Sequence, residues 1–163
     1  MFTLPPIDPD GRIAKSLRSI RILSAVLAVA VGLFSILSWV LLEGLGIHHL
    51  RGLPRAVPVS MTAFSMILLL MSSRLRSNVL RKAIPTTPGF PMSFERLLEG
   101  YRRATLISFL MLECAALAGF AVALLTGTAF YGMVLGAASL VSMATRWPRV
   151  TDFDRIASGK RSP

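Results

Sequence analysis

Four long stretches of the chain lack charge almost entirely, and basic residues border each of them. They are residues 22–42, 56–73, 104–126 and 130–145, and the third contains one charged residue, Glu113. Each is close to the ~20 residues that a helix needs to cross ~30 Å of hydrocarbon at 1.5 Å per residue. The pattern predicts four membrane-spanning helices. The second and fourth are short, so we expect them to stand nearly upright in the bilayer.

The hydrophobic pattern also divides the chain into segments. An N-terminal tail and a basic helix come first, then spans one and two with an outer loop. A basic loop and helix follow, then spans three and four, then a basic C-terminal tail. In order, these segments are residues 1–21, 22–73, 74–103, 104–145 and 146–163.

The basic helix before the first span has an apolar side. Ile13, Leu17 and Ile20 recur at helical spacing among basic residues, which indicates an interfacial helix that runs into span one. A partner-binding helix fits the pattern equally well. A cleaved signal peptide is the competing interpretation of span one. Its 21 apolar residues exceed the 7 to 15 of a typical signal peptide, so we expect the helix to be retained.

The basic segment before span three also predicts a helix. Ser93 is placed to cap its N-terminus, and Glu95 in the first turn suits the helix dipole. Glu99 and Arg103 are four residues apart and can form an ion pair. We expect one helix to run from Ser93 into the membrane.

The composition supports a membrane protein. Hydrophobic residues make up 53% of the 163 residues, the mean hydropathy is +0.64, and the net charge is +10. A soluble domain this apolar and this basic would be unusual, and here the charges are separated from the apolar runs. The predicted fold class is therefore an all-α integral membrane protein with four transmembrane helices.

The basic residues predict the orientation. Residues 1–21, 74–103 and 146–163 hold 4, 7 and 5 of the 18 Lys and Arg residues, and the segment 43–55 holds the other 2. The positive-inside rule places both termini in the cytoplasm, and we expect a multi-pass protein of a bacterial inner membrane. The bilayer and its anionic phospholipids are the first partners expected, and nucleic acid is not expected. The candidate lipid contacts are Arg12, Lys15, Arg18, Arg21, Arg74, Arg76, Arg81 and Lys82.

Small residues predict how the last two spans pack. One set lies at four-residue spacing in span three, and a G-x-x-x-G lies in span four. With only a tight turn between the spans, we expect these residues to let the two backbones approach closely as a helical hairpin. The packing residues are Ala115, Gly119, Ala123, Gly132 and Gly136.

Glu113 is the main chemical candidate. It lies ten residues beyond Arg103, about 15 Å deep and close to the middle of the membrane. An ionised carboxylate there costs about 2.5 to 3.5 kcal/mol, so we expect the group to be protonated, paired or hydrated. It lies roughly 200° around the helix from Ala115 and so points away from the predicted hairpin. Ser65 and, less centrally, Ser35 are the hydroxyls placed to bond it, which would make Glu113 structural.

The run YRRATLISFLMLECAALAGFAVALL, residues 101–125, carries a resemblance. It resembles the carboxylate-bearing helix of the proteolipid c subunit of rotary ATP synthases, in which an Arg-flanked helix bears a mid-membrane Glu followed by small and aliphatic residues. The resemblance covers about 25 of the 163 residues and implies that Glu113 is a proton or cation site. Members of that family commonly have two spans, whereas four are predicted here.

Motifs for catalysis or cofactor binding are missing from the sequence. There is no Walker loop, dinucleotide fingerprint, zinc ligand set or nucleophile elbow, so we expect neither an enzyme nor a cofactor. His48 and His49 beside Glu43 are too few for a metal site and are interpreted as a solvated loop. Cys114 is the only cysteine and is interpreted as a small buried hydrophobe and not as a reactive thiol.

Two functions follow from these patterns. The first is a non-catalytic accessory or assembly subunit of a larger membrane complex, with other membrane subunits or a second copy as partner. The second is a proton- or cation-handling protein centred on Glu113. A lipid-metabolising enzyme is a third class, for which the sequence offers no catalytic set.

The predicted topology can be tested by cysteine labelling. Cysteines placed singly at His49, Ser77 and Ser162 in a Cys114→Ser background would be exposed to an impermeant thiol reagent on intact cells. Only the cysteine at position 49 should react, because the other two lie on the predicted cytoplasmic side. Labelling at 77 or 162 in place of 49 would reverse the orientation.

Overall fold

The computed structural model describes residues 12–45, 56–83 and 94–149, and every regular element in these ranges is helical. Three helices are long and apolar enough to cross a membrane, over Leu17–Gly44, Ala56–Lys82 and Leu98–Thr126. The prediction of a helical protein with membrane-spanning segments is confirmed to this extent. The elements are α1 (Arg12–Trp39) with a π-helical turn (Val40–Gly44), α2 (Ala56–Ala83), α3 (Phe94–Thr126) and α4 (Ala129–Thr145).

The predicted N-terminal helix is the first part of α1 and not a separate element. Its apolar residues Leu17 and Ile20 are buried inside the protein, each 1% exposed. Leu17 begins a seven-residue repeat of buried positions along α1 that continues with Ser24, Val31 and Ser38, and Ile20 lies one turn before Ser24 on the same side. A repeat of seven keeps one side of a helix against its neighbours. This part of α1 therefore packs on the bundle.

The basic segment between α2 and α3 is helical where the structure describes it. α2 continues past the apolar run to Ala83, and α3 begins at Phe94 and enters the apolar run without a break. Glu99 and Arg103 form the predicted ion pair, on an exposed side of α3. The predicted cap, Ser93, lies outside the described residues.

A tight turn joins α3 to α4. Gly127 has a φ of 68°, a left-handed conformation that a glycine adopts without strain. The N–H of Thr128 donates to the carbonyl of Ala123 at 3.2 Å, which is the six-to-one bond of a Schellman motif. This geometry ends α3 and sends α4 back along it, as the hairpin prediction requires.

The helices alternate in direction, and α3 is the central one. It packs against α1, α2 and α4, while α4 also packs against α1. The start of α1, the end of α2, the start of α3 and the end of α4 meet at one end of the bundle, where Arg21 and Arg76 bond the chain that follows α4. We call this the basic end.

The exterior is apolar and much of the interior is hydroxylic. Large apolar side chains on α1 and α2 are widely exposed, among them Val29 (61%), Phe64 (55%) and Leu70 (72%). Such surface would be unfavourable in water but suits a lipid surrounding, where packing depends on small residues. The buried polar side chains of the described residues all carry a hydroxyl: Ser24, Ser38, Ser65, Ser72, Thr105, Ser108 and Ser139.

The small residues pack in a different way from the prediction. A methyl group added to Gly136 would collide with the hydroxyl of Ser35, and one added to Gly132 would lie 2.7 Å from the Cβ of Ser38. Both serines belong to α1. The predicted G-x-x-x-G therefore packs chiefly against α1, because that side of α4 faces serines small enough to admit its backbone.

The contact of α3 with α4 uses other atoms. Gly119 of α3 lies under Leu135 of α4, whose Cβ would be 2.7 Å from an added methyl. The Cβ of Ala123 would lie 3.3 Å from a methyl added to Gly132. Ala115 is fully buried. Small residues of α3 are packed at this contact, whereas the two α4 glycines lie chiefly against α1 and not against α3 as predicted.

Gly132→Ala should destabilise the protein by about 1 to 3 kcal/mol, because its methyl forces α1 and α4 apart. Gly32→Ala is the matched control. No atom lies within 4 Å of a methyl added at Gly32, so the gain in helix propensity should stabilise the protein by about 0.5 to 1 kcal/mol. Thermal unfolding in detergent measures both changes.

A second pair of variants identifies the contact. In a Ser38→Gly background, which removes the opposing Cβ and hydroxyl, Gly132→Ala should cost almost nothing. Equal effects of Gly132→Ala and Gly32→Ala in the native background would show that α1 and α4 do not depend on this close approach.

Candidate functional site

Glu113 lies on a side of α3 that the rest of the bundle leaves uncovered. Its side chain is partly exposed, and its neighbours along the helix, Leu110 (51%), Cys114 and Leu117 (40%), are exposed as well. These four residues follow helical spacing and form one continuous strip, which we call the open side of α3. The predicted burial of Cys114 is wrong, because the residue lies on this strip. The carboxyl group thus lies at the edge of a surface that faces outward.

The two predicted hydroxyl partners bond elsewhere. The hydroxyl of Ser65 donates to the carbonyl of Met61 at 3.1 Å, and that of Ser35 donates to the carbonyl of Val31 at 3.1 Å. Both are bonds within one helix, which satisfy a hydroxyl inside an apolar bundle. Ser35 also fills the space above Gly136. Within the described residues, Glu113 forms no hydrogen bond or ion pair.

The basic residues predicted to contact lipid are mostly exposed. Lys15, Arg18, Arg21, Arg74, Arg81 and Lys82 are exposed, which suits contact with anionic headgroups. The side chain of Arg12 lies outside the described part of the structure. Arg76 differs from the rest, since it is partly buried and its guanidinium lies 5.9 Å from the centre of the Tyr101 ring.

A second cluster joins three helices at the basic end. Nη1 of Arg146, the residue after α4, donates to the hydroxyls of Ser72 on α2 and Ser108 on α3, the latter at 3.2 Å. The Ser72 hydroxyl in turn donates to the carbonyl of Leu69 at 2.7 Å. A guanidinium that binds two fully buried hydroxyls locks the end of α4 between α2 and α3.

Two further arginines bind the chain that leaves α4. Nη1 of Arg76 donates to the carbonyl of Arg146 at 3.5 Å, and Nε of Arg21 donates to the carbonyl of Pro148 at 3.1 Å. Arg146 is the C-cap residue of α4, where the dipole of the helix attracts cations, and Pro148 lies just beyond it. Arg21, Arg76 and Arg146 are hereafter the arginine cluster.

The arginine cluster carries positive charge without a carboxylate partner among the described residues. Burial lowers the pKa of Arg146 below its ordinary value, and the positive charge of the nearby Arg76 lowers it further. A guanidinium nevertheless stays protonated in proteins. Among the described residues the ion pair joins Glu99 to Arg103, so no carboxylate in that part of the chain pairs with the arginine cluster.

Hydroxyls line α3 beside the cluster. Tyr101, Thr105 and Ser108 are fully buried and recur at positions i, i+4 and i+7, which places them on one side of the helix. Arg76 lies over the ring of Tyr101, and Arg146 bonds Ser108. Thr105 lies between these two contacts, and its hydroxyl has no hydrogen-bond partner among the described residues.

The sequence prediction missed Arg146, Ser72, Ser108 and Thr105 as site residues. The signal that could have identified them is the position of each residue along its helix relative to the basic residues at the border. Ser72 lies two residues before Arg74, and Ser108 lies five residues after Arg103, so both approach the level of Arg146 once the helices alternate in direction. Trp147, which follows Arg146, packs on the core and meets Phe109 edge-on, with ring centres 6.5 Å apart.

Metal binding finds no support in the described residues, where no three His, Cys, Asp or Glu side chains group together. The predicted solvated loop with His48 and His49 lies outside those residues. Glu43, which precedes it, is exposed.

Comparisons with known proteins identify no relative. No protein family model, no curated protein and no solved structure matches this chain. The resemblance of residues 101–125 to the c-subunit helix accordingly stays a prediction.

Proposed function

We propose that this protein is a non-catalytic subunit that serves the assembly or stability of a larger membrane complex. The observation that carries the proposal is the position of Glu113 on the open side of α3. A polar group in the middle of a membrane requires a partner, and the described residues of this chain supply none. A helix of another subunit, or of a second copy, would supply it by packing on that strip.

The open side of α3 is suited to such a contact. Leu110 and Leu117 lie on either side of Glu113 and Cys114 along the helix, so an apolar surface surrounds one polar group. Between membrane helices, apolar surface gives packing without much preference for one partner, and a hydrogen bond adds the preference. One carboxyl group on an apolar strip can therefore select both a partner and its register.

The topology belongs to the same proposal. α4 has 17 residues, about 25 Å of helix, which is at the lower limit for a span. We take it as a fourth, nearly upright span. Together with the distribution of Lys and Arg, this gives a protein with both termini in the cytoplasm of a bacterial cell, in its inner membrane.

A second function is favoured by the same exposure. A carboxyl group that the outside of the bundle can reach could take up and release a proton, as the resemblance to the c subunit implies. Proton handling requires the acid to be exchangeable, whereas an assembly role requires only a hydrogen bond. Glutamine separates the two, since it keeps the bond and holds no exchangeable proton.

Glu113→Leu should weaken assembly about three- to twentyfold, because an interhelical hydrogen bond in a membrane is worth about 0.6 to 1.7 kcal/mol. Glu113→Gln should assemble within about twofold of the native protein. The mass of the complex purified in mild detergent, followed during dilution, measures both. Cys114→Ser, a small change at the adjacent exposed position, is the control and should assemble normally.

Thermal unfolding of the separated chain completes this test. It should be nearly the same for all three variants, because Glu113 bonds no described residue of its own bundle. A native protein that purifies as a lone monomer would remove the subunit proposal, and a large loss of chain stability in Glu113→Leu would make the acid structural.

Reaction with a membrane-soluble carbodiimide distinguishes the two functions. The assembled complex should react poorly at Glu113, because the partner covers the open side, and the separated chain should react well. Proton handling would instead give strong labelling of the assembled complex that falls as pH rises, since only the protonated acid reacts. In that case Glu113→Gln would assemble and yet be inactive.

A further inference from the structure

The arginine cluster retains hydrogen-bonding capacity that the described residues do not use. A guanidinium has five N–H donors. In Arg146 the described bonds involve Nη1 alone, in Arg76 Nη1 alone, and in Arg21 Nε alone. Several donors of each guanidinium are thus available to a ligand. The three guanidiniums belong to different segments of the chain but lie around the same residues, 146–148, which follow α4.

The charge of the cluster points to an anion. Three guanidiniums lie around the segment 146–148, two of them partly buried, without a carboxylate partner in the described residues. Charged groups withdrawn from water are stabilised when an opposite charge pairs with them. Thr105 adds an unbonded hydroxyl on the side of α3 that faces the cluster, and a hydroxyl can donate to an anion.

We propose that Arg21, Arg76 and Arg146 bind one phosphate group. Guanidinium forks match phosphate oxygens two at a time, which makes arginine the preferred residue for this anion. The depth of the site agrees with a phospholipid headgroup. Ser108, which holds Arg146, lies five residues from Arg103 along α3, about 7.5 Å inside the basic border. A free phosphate ester has the same chemistry, and the experiment separates the two sources.

Capping of α4 accounts for some of the hydrogen bonds of the arginine cluster but not for all of them. A single arginine at each carbonyl would satisfy the end of the helix. Capping does not require a third guanidinium that bonds two buried hydroxyls, nor a partly buried cluster without an acid among the described residues. The structural bonds hold the three side chains in place, and their remaining donors bind the phosphate. This inference is independent of the subunit proposal, because a monomer can hold the phosphate equally well.

The test uses the full chain, purified in detergent and placed in nanodiscs. The probes are dioleoyl phosphatidylglycerol, dioleoyl phosphatidylcholine and inorganic phosphate at constant ionic strength. Native mass spectrometry counts retained lipid, and the rise in unfolding temperature on adding each probe measures binding. Phosphatidylglycerol should be retained about tenfold more than phosphatidylcholine, whose own choline cation competes for the phosphate.

Variants assign the binding to the cluster. Arg76→Gln and Arg21→Gln should each weaken phosphatidylglycerol binding about tenfold, the effect of losing one charge-assisted bond. Arg96→Gln is the matched control, since it removes the same charge from an exposed position of α3 that is not among the candidate lipid contacts, and it should change binding less than about twofold. Arg76→Lys keeps the charge but not the fork, and should also weaken binding severalfold.

The readout separates binding from folding. Loss of a capping bond changes the unfolding temperature without lipid, whereas loss of the site changes the rise that lipid produces. A rise with phosphatidylglycerol alone identifies a headgroup, and a comparable rise with inorganic phosphate identifies a soluble phosphate ester. The proposal is overturned if folded Arg21→Gln and Arg76→Gln bind phosphatidylglycerol as the native protein does, or if Arg96→Gln loses as much as they do.

Discussion

The close approach of α1 and α4 is the contact on which the rest of this bundle depends. Lipid is as apolar as the side chains on the exterior of the helices, so burial of apolar surface gives little drive to pack. Dispersion contacts at short range replace it, and they require backbones that can come near each other. Gly132 and Gly136 provide that on α4, and the small Ser38 and Ser35 provide it on α1. The end of α4 is thereby brought to where Arg146 reaches α2 and α3.

Serine satisfies two demands at these contacts. It is small enough for close packing, and its hydroxyl returns to a carbonyl of its own helix, as Ser38 does to Phe34 at 2.8 Å. Few other polar residues could be buried in lipid at so little cost. A serine hydroxyl that donates within its own helix can also accept a hydrogen bond from another side chain, and it is then part of a site. Ser72 donates within α2 and accepts from Arg146, so the same residue type forms the core and holds the arginine.

The sequence predicted the elements better than the contacts between them, and the physical reason is clear. An uninterrupted apolar run indicates a helix, and so the start of α2, the end of α3 and both ends of α4 agree closely with the pattern. A stripe of small residues marks a side of a helix but not which neighbour it meets, and the prediction for Gly136 chose the wrong helix. Which basic residue turns toward the interior depends on the rotation of each helix about its axis, and the sequence pattern does not determine that rotation. Arg146 and Arg76 were therefore grouped with exposed residues or overlooked.

Glu113 and the arginine cluster have no charged partner among the described residues, and they cannot pair with each other. Glu113 lies five residues beyond Ser108 on α3, which is about 7.5 Å along the axis and about 140° around it. Since Ser108 faces the arginine cluster, Glu113 is turned away from it and toward the open side. A helix cannot bring both to one place without unwinding. Among the described residues neither the acid nor the arginines have an oppositely charged partner, and the two lie at different depths along α3. A helix against the open side and a phosphate at the arginine cluster would therefore occupy separate places on the protein, and the two proposals can be tested separately.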